Sequence, residues 1–108
     1  FPAVKAVVPS LWPLEVANVL VVGERRKRTT EAKSARFLTL LGSLPISVDG
    51  QTASRAWGDT IRLARAHELS VYDASYLELA TRTGIPLASL DDKLKAAALA
   101  VGVPLYKP

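Results

Sequence analysis

From Leu11 to Val22 the strongly polar side chains are Glu15 and Asn18, set in a run of Leu, Val, Ala and Trp with Pro13 near its start. A first helical turn tolerates proline, so the run predicts a buried helix with one wet spot. Ser10 is its candidate N-cap, and Glu24, Arg25, Arg26, Lys27 and Arg28 end it with cations at the negative pole of the helix dipole. A second helix follows, with Thr29 or Thr30 as cap, Ala35, Leu38 and Leu41 as apolar stripe, and Gly42 as stop. Leu44-Pro45-Ile46-Ser47-Val48 lies between Gly42 and Asp49-Gly50 and is too short for a helix, so it predicts a brief buried strand. The 3.6-residue period returns over Gln51 to Glu68. Ala53, Ala56, Trp57, Ile61 and Ala64 fall on one side of this amphipathic helix, and Arg55, Asp59, Arg62 and Arg65 largely on the other. Asp73 to Thr83 is a further helix, carrying Tyr76, Leu77 and Ala80 and closed by Gly84.

The last quarter holds an internal echo. Gly84-Ile85-Pro86-Leu87 and Gly102-Val103-Pro104-Leu105 each set a glycine stop before a short apolar run, and an Ala/Leu-rich helix from about Asp91 to Val101 lies between them. Strand, helix, strand with a connection of this length is a βαβ unit, whose strands are parallel. The expected class is therefore an α/β sandwich with a parallel sheet. Three strands are visible and the first recognisable element is a helix; a missing N-terminal strand would account for both. No linker or low-complexity tract interrupts the chain, which is expected to form one domain over residues 1–108.

Composition narrows the chemistry. The 108 residues, 11.6 kDa, are 49% apolar, enough for a core and too many for a disordered tail. Fourteen Lys and Arg against ten Asp and Glu leave a formal charge of +4, which favours polyanionic partners or acidic substrates. With no cysteine there is no disulfide frame, thiolate zinc site or thiol nucleophile, and a reducing compartment is permitted. The single histidine, His67, excludes a two-histidine metalloprotease motif. The longest unbroken apolar stretch, Ala96 to Val101, is far short of a membrane span. The chain opens on Phe1 rather than Met, without a basic start or a processing site, and reads as cut or incomplete.

In an open parallel sheet, ligands bind beyond the carboxyl ends of the strands, and that rule sorts the acids. Asp91 and Asp92 follow the apolar run ending near Ser89, Asp73 starts a helix, and Glu15 stands on an otherwise apolar helix where an ionised carboxylate is costly unless compensated. A cluster of such carboxylates would suit Mg²⁺ or Mn²⁺, hard ions that take oxygen ligands and can activate water against a phosphodiester. The competing reading is capping. Ser70-x-x-Asp73 and Ser89-x-x-Asp92 both match the capping box, while Asp91 reads either as a site residue or as a solvated first-turn acid. Glu15 has its own alternative, a carboxylate reaching solvent or a basic partner. Arg25 to Arg28 read as a helix terminus before a phosphate-binding patch, Trp12 and Trp57 as packing residues before base-stacking platforms, and His67 as a helix-end cap.

Three segments in order, Pro13-Leu14-Glu15-Val16-Ala17-Asn18-Val19-Leu20, Tyr72-Asp73-Ala74-Ser75-Tyr76-Leu77-Glu78-Leu79-Ala80 and Pro86-Leu87-Ala88-Ser89-Leu90-Asp91-Asp92-Lys93-Leu94, resemble the PIN-domain ribonucleases, and within them the VapC-type toxins of toxin–antitoxin pairs. The resemblance implies a three-layer α/β domain with a central parallel β-sheet flanked by helices, and an acidic pocket holding Mg²⁺ or Mn²⁺. It also implies cleavage of RNA by metal-activated water. By position Glu15, Asp73 and Asp91 match the family's metal-binding and catalytic acids, and Ser89 stands where the family has Thr, keeping a hydroxyl near the metal. Asp92 falls on a variable position. The resemblance further implies a cytoplasmic homodimer inhibited by a cognate VapB-type antitoxin. Nothing before Ser10 matches the family's opening strand and its aspartate, so the expectation is a domain lacking that strand and first acid. A non-catalytic module that dimerises or binds an antitoxin is the alternative. A phosphoacceptor reading of Asp91-Asp92 is weaker, since such a pair normally follows the first strand.

Overall fold

The β-branched pair Val7-Val8 favours extended backbone, and Ala6–Val8 forms a short strand, β1, in a segment whose sequence pattern shows no element. The computed structural model describes residues 5–107, and the chain divides between Val48 and Asp49 into two compact units. In the first, β1 pairs in parallel with β2, Ile46–Val48, in the register Ala6 to Ile46 and Val8 to Val48. The connection carries two helices, α1 over Trp12–Arg25 and α2 over Glu31–Gly42. The α/β class and the parallel pairing are as expected, but the first element is a strand, not a helix.

Local chemistry fixes most helix ends. Thr30, extended at φ −126° and ψ 162°, accepts a hydrogen bond from the Lys33 amide at 3.2 Å and caps α2. For α1 the N-cap position is Leu11 rather than Ser10, with Pro13 in the first turn. Its other end is a Schellman motif: the Arg28 amide donates to the Gly23 carbonyl at 2.8 Å and the Lys27 amide to Glu24 at 3.0 Å. Glu24 also receives the buried Ser34 hydroxyl at 2.6 Å and so ties α1 to α2.

The expected burial of α1 is not found. None of its residues is buried, and Leu14 is 75% exposed. The stripe on α2 is no better covered, for Leu38 is exposed as well. Two helices and two three-residue strands have too little surface to cover a helix that is apolar all round.

The second unit holds a helical run over 52–67, built from α3 at Thr52–Arg55, a π-helical turn at Ala56–Thr60 and α4 at Ile61–His67. It is followed by α5, Val71–Thr83, and α6, Asp92–Ala100. The core is Ala64, Leu69, Ala74, Leu77, Ala80, Leu87, Leu94, Ala97, Ala98 and Val103. Small residues at helical spacing on α5 and α6 let these helices approach closely around Leu77, which is fully buried. The internal echo is realised as a single parallel bridge between Leu87 and Leu105, on either side of α6. Its two bonds run from the Leu87 amide to the Pro104 carbonyl at 2.9 Å and from the Tyr106 amide to the Leu87 carbonyl at 2.8 Å.

The π turn corrects one further expectation. It takes up an extra residue and breaks the period that would align Trp57 with Ile61 and Ala64. Thr60 and Ala64 are buried, whereas Trp57 is 92% exposed. Gly84 and Gly102 end α5 and α6 at φ +73° and +81°, a left-handed conformation that glycine adopts at little cost. At the end of α4 the same conformation falls to Glu68, at φ +53°. Glu68→Gly is therefore expected to stabilise the protein by about 1 kcal/mol, measured by urea denaturation; an unchanged or lower midpoint would count against strain at this position.

Candidate active site

Ser70 leaves extended backbone at φ −61° and ψ 155° to start α5, and its hydroxyl accepts a hydrogen bond from the Asp73 amide at 3.0 Å. This places the half-buried Asp73 carboxylate in the first turn, where unpaired amides favour negative charge. At α6 the capping differs from the sequence expectation. Asp91 itself is the N-cap, its Oδ1 accepting from the Leu94 amide at 2.8 Å, while the Ser89 hydroxyl accepts from the Asp91 amide at 3.0 Å. Ser89 and Asp92 thus do not form a capping box. An extended Asp91, at ψ 119°, is the last residue able to point a carboxylate at the helix amides, so the cap moves two places along the chain. Asp92 projects into solvent and pairs with Lys95 at 3.4 Å. Glu15 lies in the first turn of α1 in the first unit and is exposed.

Glu15, Asp73 and Asp91 each sit at a helix start, as expected, Glu15 in the first unit and Asp73 and Asp91 in the second. Among the described residues no group of three or more His, Asp or Glu side chains is arranged to hold a metal ion. The donor set of the second unit is also partly engaged, since one Asp91 oxygen already serves the α6 cap. Carboxylates and a hydroxyl are the oxygen donors a hard divalent ion takes, so Asp73, Asp91 and Ser89 suit such an ion by their chemistry.

Within the second unit two other carboxylates converge, on Arg82. Arg82 donates through Nη1 and Nη2 to Asp49 at 3.1 and 2.7 Å, and through Nε and Nη2 to Glu78 at 2.8 and 3.1 Å. The three side chains are only 16%, 9% and 5% exposed, respectively. Thr52 adds a hydrogen bond to Asp49 at 2.9 Å, so the turn entering α3 is fastened to α5. Bonding to Arg82 holds the Asp49 carboxyl below the usual range, against burial that acts the other way, and the two carboxylates push Arg82 up. With every guanidinium nitrogen engaged, this cluster is a structural clamp. Its Glu78–Arg82 half is legible as an i,i+4 pair, but Asp49 lies 33 residues from Arg82 and no local signal joins them.

Glu78 and Arg82 also line a groove of about 370 Å³, facing Arg55, Asp59, Arg62, Leu63 and Thr81. Arg62 and Arg55 share Asp59, Arg55 at 3.6 Å, and the Arg62 hydrogen bond is the main cause that lowers the Asp59 carboxyl. Two guanidiniums on one carboxylate leave a positive charge beside the groove. His67, the last residue of α4, is half-buried, and Arg25 to Arg28 are exposed at the end of α1.

Curated proteins provide no match to the chain. A family profile described as PIN domain matches residues 3–99.

Proposed function

Because the chain belongs to the PIN domain family, we propose that it is a metal-dependent endoribonuclease toxin of a type II toxin–antitoxin system, using Mg²⁺ or Mn²⁺ to hydrolyse RNA phosphodiesters. The family match over residues 3–99 carries this reading, since PIN domains are generally metal-dependent nucleases. The positive net charge agrees with a polyanionic substrate. In this proposal Glu15, Asp73 and Asp91 are the metal ligands and catalytic acids, with the Ser89 hydroxyl beside them. A bound divalent ion would lower the pKa of its water and offset charge on the phosphate. The chain's own contribution is to set Asp73 and Asp91 at the starts of two helices in the second unit. The proposed setting is the cytoplasm, and no helix among the described residues is long and apolar enough to cross a membrane.

Exposed Leu14, Val19 and Val21 on α1, with Phe37, Leu38 and Leu40 on α2, favour a second reading, a module that binds a VapB-type antitoxin or a second copy of itself. The two readings separate in one assay. Purified protein incubated with single-stranded RNA is expected to cleave it with Mn²⁺ or Mg²⁺ present and to stop on addition of a chelator. Absence of cleavage at any metal concentration, alongside concentration-dependent self-association, would overturn the nuclease reading in favour of the binding module.

A further inference from the structure

Trp57 is 92% exposed in the middle of a helical run, although its neighbours Thr60 and Ala64 are buried. A bare indole costs apolar hydration, and this one is held outward by a π turn, a local departure from helical geometry that is frequent at functional positions. The next residue, Gly58, has no side chain. The site where a Cβ would stand on it is open except for the Arg62 guanidinium, 3.9 Å away. An uncovered aromatic plane, a gap and a cation thus follow one another along the surface. Arg62 is largely exposed and shares Asp59 with Arg55, so the pair retains net positive charge.

We propose that Trp57 is a stacking platform for a base of single-stranded nucleic acid, with Arg62 pairing the adjacent phosphate. Every base has a π face, so stacking on an indole tolerates any sequence, and a neighbouring guanidinium selects the strand for its charge. Charge decides between this occupant and a peptide: an apolar segment would leave the Arg55–Asp59–Arg62 surplus unanswered, whereas a phosphodiester matches it. The inference deepens the nuclease reading by assigning a substrate-binding element outside the three candidate acids, and rests on that reading for its biological role.

The test uses the full chain in the presence of a chelator, so that binding is separated from cleavage. Labelled oligouridylate and oligothymidylate, titrated by anisotropy, are expected to bind on the order of tenfold more weakly to Trp57→Ala, while Trp57→Phe keeps most of the affinity. Arg62→Gln should reduce the slope of log affinity against log salt by about 0.7. Trp57 emission, isolated in a Trp12→Phe background, should be quenched on saturation; this readout leaves position 57 intact should the alanine variant fail to fold. RNA-only quenching would narrow the ligand to RNA, and quenching by both strands would support a platform indifferent to the sugar. Equal affinity of wild type and Trp57→Ala, or emission that responds to protein concentration and not to nucleic acid, would overturn the proposal. Absence of quenching here, with cleavage retained in the separate assay with Mn²⁺ or Mg²⁺, removes the platform alone; quenching here, with no cleavage in that assay, removes the nuclease reading alone.

Discussion

Replacing Arg82 with Met is expected to lower stability by about 3 kcal/mol, a drop in midpoint on the order of 10 °C. The substitution keeps most of the aliphatic bulk but leaves the largely buried carboxylates of Asp49 and Glu78 side by side without their cation. Taking one partner from such a cluster costs far more than the cluster contributes, because the remaining charges can neither reach water nor find a counterion. Arg82→Lys should recover little, since an ammonium cannot make two forked pairs at once. The acid limb gives a second readout. Asp49 has its carboxyl pKa depressed in the folded protein, so its contribution is fully present above the unfolded value near 3.9 and is lost as pH falls through the lower folded value. Asp49→Asn should therefore flatten the stability profile below about pH 4 relative to wild type. Thermal melts across acid pH decide the matter: an Arg82→Met midpoint within a degree or two of wild type would show that the clamp is not structural.

Asp73→Asn is expected to abolish RNA cleavage while costing less than about 1 kcal/mol of stability. The asymmetry follows from which atom does the capping. Ser70 accepts its hydrogen bond from the backbone amide of Asp73, and asparagine keeps that amide. The substitution therefore removes only the attraction between carboxylate and helix dipole. A structural acid would show the reverse, a loss of stability with cleavage retained, and that result would remove Asp73 from the proposed site. The comparison needs circular dichroism melts and a cleavage time course on the same two preparations. Binding of oligonucleotide under chelation should be unchanged in Asp73→Asn, which separates a lost reaction from a lost substrate.

What was legible in the sequence is what is decided within about five residues. Thr30 and Ser70 cap their helices because an extended backbone places a short hydroxyl against an amide three residues on. Gly84 and Gly102 end theirs because a left-handed residue is required there. The glycine-bounded repeat foretold parallel pairing across α6, and the three ordered segments around Glu15, Asp73 and Asp91 foretold the family to which the chain belongs. Even locally, a two-residue ambiguity could mislead. Asp91 outcompetes Ser89 for the α6 cap because a carboxylate in extended backbone reaches the Leu94 amide directly.

Tertiary structure decided the rest. Hydrophobic period states which face of a helix could be buried, not whether another element exists to cover it; hence α1 carries an apolar run yet buries none of its residues. A π turn is a response to packing that no period announces, and it turned Trp57 from an expected core residue into an exposed one. Strand β1 is three residues long and is stabilised by pairing with a partner some forty positions away, beyond the reach of local propensity. The Asp49–Arg82–Glu78 clamp has the same origin, because charges distant in the chain meet only once the core around Leu77 has fixed where α5 lies.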